Sequence, residues 1–98
     1  MRIDPANLPP VDLLREVHAF PGPYVFKVIG KDDRAFAARV VSLVRDELGL
    51  AEDPEHSVRR TTSGRHLCVT LSPEVAEPQA VLDLYQSIYR LDGLVMVL

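Results

Sequence analysis

The sequence predicts an α+β fold in which a four-stranded antiparallel sheet carries two helices on one face, its elements running β-α-β-β-α-β. Three observations carry this prediction. Two segments, 33–48 and 78–91, repeat apolar residues at helical spacing. Two runs rich in β-branched and other apolar side chains, 24–29 and 94–98, stand before the first helix and after the second. Between the helices, 57–62 and 65–71 flank a Ser63-Gly64 pair of the kind that closes a hairpin. At 98 residues and 47% hydrophobic, the chain has material for one core and therefore one domain.

Residues 1–10 contain Pro5, Pro9 and Pro10 and no periodic apolar pattern, so 1–17 is read as a flexible arm with room for a short helix around Val11, Leu14 and Val17. Residues 18–98 form the domain. Pro21-Gly22-Pro23 breaks the chain ahead of the first strand, Tyr24 to Ile29, and Gly30 ends that strand. Asp32 is placed as the N-cap of the first helix, with Asp33 adding negative charge to its first turn. Phe36, Val40, Leu43, Val44 and Leu48 make the helix's buried stripe, and Gly49 supplies the stop. An acidic connection holding Glu52, Asp53 and Glu55 leads to the hairpin. Its second strand alternates, with Leu67, Val69 and Leu71 toward the helices and His66, Cys68 and Thr70 toward the other face. Ser72 to Ala76 is a loop. Glu77-Pro78 then opens the second helix, buried through Val81, Leu84, Tyr85, Ile88 and Leu91, and Asp92-Gly93 closes it before the last strand. Two β-α-β units joined by a hairpin constitute the ferredoxin-like sandwich.

Eleven basic and fourteen acidic side chains give a formal charge of -3, which supplies no long-range attraction to nucleic acid or to an anionic membrane. The longest apolar runs fall far short of the roughly 20 residues that span a bilayer, and the first twenty residues lack an apolar signal region. The single cysteine, Cys68, makes no internal disulfide, which fits a reducing compartment and a cytoplasmic location.

Phe20-Pro21, Tyr24-Val25-Phe26-Lys27-Val28-Ile29-Gly30, Thr61-Thr62-Ser63-Gly64 followed by Val69-Thr70, Leu84-Tyr85 and the final Val95-Met96-Val97-Leu98 resemble, in this order and spacing, the bacterial YbeD-like family of unknown function over about residues 18–98. The resemblance implies a ferredoxin-like fold close to the regulatory ACT domains, a role in regulation or partner binding, and no established catalysis. Two positions depart from the family's pattern: the usual Ser-Lys-Gly turn reads Ser63-Gly64 without the lysine, and the aromatic that follows it is His66.

Two candidate sites emerge. Gly30, Lys31 and Asp32 lie where a strand hands over to a helix N-terminus, the place where ACT domains hold an amino acid or similar anion. Asp32 and Asp33 already stand at that positive end, and Ala35 replaces the second glycine of an ACT ligand loop, so helix capping accounts for the same residues. Val25, Lys27 and Ile29 with His66, Cys68 and Thr70 are expected on the sheet face that no helix covers, a mixed surface suited to a protein partner or a second copy of the chain.

Other activities of this fold find no residues. RNA-recognition motifs stack bases on aromatics where this chain has Lys27 and His66 or Cys68. Acylphosphatases need an arginine loop and an asparagine near the second strand, and the sole asparagine is Asn7 in the arm. Metallochaperones need Cys-x-x-Cys. Cys68 reads as a structural thiol, and His18, His56 and His66 lack metal-ligand spacing. The sequence therefore points to a non-enzymatic module without cofactor or metal, acting on a protein partner or, as an ACT-like homodimer, on a small-molecule effector, with a small acyl- or phosphoryl-transfer enzyme as the third reading.

Overall fold

A computed structural model describes residues 4–98. After a 3-10 turn at Pro5–Asn7, the elements are α1 (Val11–Val17), β1 (Gly22–Pro23), β2 (Phe26–Lys31), α2 (Arg34–Glu47), β3 (His56–Arg60), β4 (His66–Leu71), β5 (Glu74–Val75), α3 (Pro78–Ile88) and β6 (Leu94–Val97). The main sheet has the order β3-β4-β2-β6, and every neighbouring pair is antiparallel. Phe26, Val28, Val69, Leu71 and Val97 from the sheet join Phe36, Val40, Val44, Val81, Leu84, Tyr85 and Ile88 from α2 and α3 in a single buried cluster. This is the ferredoxin-like sandwich that the sequence predicts.

Each helix end has a local cause. The Asp33 carboxylate accepts a hydrogen bond from the Ala35 N–H at 2.8 Å, satisfying an orphan donor of the first turn of α2. The cap is thus one residue later than the sequence reading placed it, because Asp32 reaches instead across to Arg60 at 3.0 Å. At the other end Gly49 takes φ 65°, its N–H donates to Asp46 O, and the Leu50 N–H donates to Arg45 O at 2.9 Å. These two bonds make a Schellman stop. In α3, Pro78 occupies the first turn, where a missing N–H costs nothing, and the helix ends at Ile88, its continuation to Leu91 drawn into tighter turns by the Leu91 N–H to Ile88 O bond.

Two features depart from the sequence reading. The Pro-rich breaker and the loop at 72–76 meet as a two-residue ladder, Gly22 opposite Val75 and Pro23 opposite Glu74. Tyr24 donates its N–H to Pro73 O at 3.0 Å in that small sheet, so β2 of the main sheet begins at Phe26 and extends to Lys31. Within the segment read as an arm, α1 packs on α3, and its Leu14, 3% exposed, belongs to the core.

Candidate functional site

Alternation along β2 sends Phe26, Val28 and Gly30 toward the helices and Lys27 and Ile29 to the opposite face. The register then builds that open face row by row. Ser57, Thr70 and Lys27 lie side by side on β3, β4 and β2, and Leu98 continues the row, donating its N–H to Lys27 O at 2.8 Å. The next row is Arg59, Cys68, Ile29 and Met96. His66 stands opposite Lys31 at the end of the sheet.

The register brings together five of the residues expected on this face, Lys27, Ile29, His66, Cys68 and Thr70, while Val25 lies ahead of β2, outside the ladder, with 52% of its surface exposed. Cys68 is buried although no helix lies over it, since a short side chain flanked by Arg59 and Ile29 is screened by its longer neighbours. Its Sγ is 3.9 Å from Thr70 Oγ1. Ile29, Met96 and Leu98 give the face an apolar stretch on β2 and β6, Lys27 and Arg59 give it positive charge, and His66 stands at the sheet's end.

Met96, Leu98, Arg59 and Ser57 complete the surface and escaped the sequence reading. In β6 every residue is apolar, so polarity gives no alternation from which a face can be read. In β3 the Ser57-Val58-Arg59 alternation was present, but its sense depends on pairing Val58 with Val69.

At the strand-to-helix junction the structure places the other three candidates apart. Gly30 is buried, and a Cβ on it would lie 2.2 Å from Phe36 Cζ, so its lack of a side chain makes room for the ring. The Lys31 N–H donates to Gly93 O at 3.0 Å. Asp32 is paired with Arg60, and Asp33 fills the helix end. Both carboxylates oppose an incoming anion at the place where the macrodipole would otherwise attract one.

The family described as Protein of unknown function (DUF493) matches the chain over residues 15–98. The chain belongs to the DUF493 family. The match agrees with the YbeD-like resemblance and takes in the whole main sheet with α2 and α3. No curated protein matches the chain.

Elsewhere on this DUF493 domain the arginines of the hairpin do not form one patch. Arg59 faces the open side, Arg60 turns to Asp32, and Arg65 lies in the turn that Gly64 enters at φ 75°. A groove of about 200 Å³ lies between α2 and the edge strand β3, bordered by Ala38, Val41, Ser42, Asp53, His56 and Val58. The His56 Nδ1 sits 2.8 Å from Pro54 O. Tyr24 and Tyr85 share a hydrogen bond between their hydroxyls at 3.2 Å, and burial pushes the Tyr85 phenol well above its ordinary value. Phe26 packs against both rings, which makes this aromatic group part of the core. Among the described residues no helix is long and apolar enough to cross a membrane.

Proposed function

We propose that this DUF493 chain is a non-catalytic regulatory or protein-interaction module that docks a partner protein on the uncovered face of its sheet. The observation that carries the reading is the asymmetry of the sheet. One face is sealed by α2 and α3, and the other, over which no helix packs among the described residues, holds the half-buried Ile29 and Met96 with the exposed Leu98, and Val25 stands exposed just ahead of β2. Exposed apolar surface framed by polar side chains is the usual mark of an interaction site. The single, buried cysteine suits a reducing cytoplasm as the place where the module acts.

The ACT-like alternative, a homodimer sensing an amino acid or anion near Gly30, Lys31 and Asp32, has less to support it. Its site would have to displace the Asp32–Arg60 pair and the Asp33 cap. The test is a photoreactive side chain placed at Ile29 in the cells that produce the protein, with Gln86 on the exposed side of α3 as the control. Docking on the sheet predicts a discrete adduct from Ile29, identified by mass spectrometry, and none from Gln86. Adducts from Gln86 alone, or a rise in melting temperature with amino acids that vanishes in Asp32→Ala, would overturn it in favour of another surface or of the sensor.

A further inference from the structure

We infer that the segment received by the open sheet face is acidic and amphipathic: carboxylates answering Lys27 and Arg59, and apolar side chains set on Ile29 and Met96. The inference rests on the docking reading above and adds the chemistry of the partner. Its basis is a segregation of charge that composition hides. The chain carries fourteen carboxylates and a formal charge of -3, yet none of those carboxylates falls within the four strands of the main sheet. The same strands hold Lys27, Lys31, Arg59 and Arg60 with His56 and His66.

Alternation sorts these cations. Arg60 points away from the open face and is matched by Asp32, just as Arg45 on α2 is matched by Asp46 and Asp53. Lys27, Lys31 and Arg59 have no ion pair among the described residues. The open face thus carries Lys27 and Arg59 with no carboxylate on any strand of the sheet to answer them, beside the apolar pair Ile29 and Met96. Lys27 and Arg59 lie two strands and two residues apart, about 12 Å along the diagonal at ordinary strand spacing and rise. Ile29 and Met96 lie beside that diagonal, so an acidic segment can reach both cations along one edge while its apolar side chains rest on Ile29 and Met96.

The same charges argue against the other occupants. Two copies meeting face to face would bring together surfaces whose strands carry Lys27 and Arg59 and no carboxylate, so the charges of one copy find no opposite charge on the strands of the other. A nucleic acid would find cations but no Phe, Tyr or Trp ring among Lys27, Ile29, Arg59, Cys68, Thr70 and Met96 on which to stack a base, and the one ring, His66, lies at the end of the sheet. An acidic protein segment uses both the charge and the apolar row, and opposite charges speed its encounter as well as orient it.

The experiment is an NMR titration of the whole, isotopically labelled protein with a synthetic amphipathic peptide of Leu, Ala and Glu. The controls are the same peptide with Lys for Glu, a single-stranded RNA oligomer, and vesicles containing phosphatidylglycerol. The expected result is amide shifts at Lys27, Ile29, Cys68 and Met96 with the Glu peptide. Raising salt should weaken binding, and Lys27→Glu/Arg59→Glu should weaken it about tenfold at unchanged melting temperature. Lys27→Gln/Arg59→Gln gives the same readout with a smaller loss if the double reversal proves unstable. No response to the Glu peptide, equal binding of the Lys peptide, shifts on the helix side, or tighter binding of RNA or vesicles overturns the inference. An Ile29 photoadduct in cells combined with no response to the Glu peptide removes the acidic assignment and leaves the docking reading standing.

Discussion

Gly30 illustrates how one residue serves two readings until its surroundings are known. A glycine that ends a strand before a helix suits a ligand loop, but here the Phe36 ring occupies the space where a side chain would be. Gly30→Ala must push that fully buried ring aside, and overpacking of this kind costs about 1–3 kcal/mol. Chemical denaturation should give a loss in that range, and Phe36→Leu in the same background should return part of it. A loss equal to the sum of the two single substitutions would contradict the contact. Tyr85 makes a pH prediction. Its phenol is held above the ordinary 10.0 by burial first and by the bond to Tyr24 second. The unfolded chain then loses its phenolic proton before the folded chain does, so stability is fully present below pH 10.0 and falls as pH rises past it. Tyr85→Phe should flatten that alkaline decline of melting temperature relative to the native protein. The sequence placed Tyr85 on a buried stripe correctly because helical spacing is a local signal. The ring over Gly30 depends on a packing contact, and no local pattern announces it.

The start of α2 shows how far local signals reach at the scale of an element. Two adjacent aspartates satisfy the same capping preference, and only the position of Arg60 on the distant β3 distinguishes them. Asp33→Ala should cost about 1 kcal/mol as a lost cap. Asp32→Ala, which removes one exposed ion pair, should cost about 0–1 kcal/mol. Urea unfolding of the two variants decides between them, and a larger loss for Asp32→Ala would return the cap to Asp32. Strands followed a similar rule. β4 alternates polar and apolar residues, so its open-face members His66, Cys68 and Thr70 were legible, whereas the uniformly apolar β6 left Met96 and Leu98 unassigned until its pairing with β2 was known. The small ladder between β1 and β5 was illegible for another reason: at two residues a strand is too short to alternate, and Pro23 reads as a breaker.

For the whole molecule, the β-α-β-β-α-β order followed from periodicity and turn chemistry, and it alone required one sheet face to be bare. What lies on that face, with Lys27 and Arg59 on strands that hold no carboxylate, emerged only from register. The two sides of the sheet are unlike: one packs under α2 and α3 in the core, and the other carries Lys27 and Arg59 among Ile29 and Met96 without a carboxylate. The most direct test is the affinity of the partner recovered from the Ile29 adduct for two single variants of the full chain, Ile29→Arg and Gln86→Arg. A large side chain thrust from the middle of the sheet face should weaken binding by about tenfold or more with the fold retained, while the same change on α3 leaves affinity unaltered. Equal affinity for Ile29→Arg, or a loss confined to Gln86→Arg, would contradict the assignment of the sheet as the docking face.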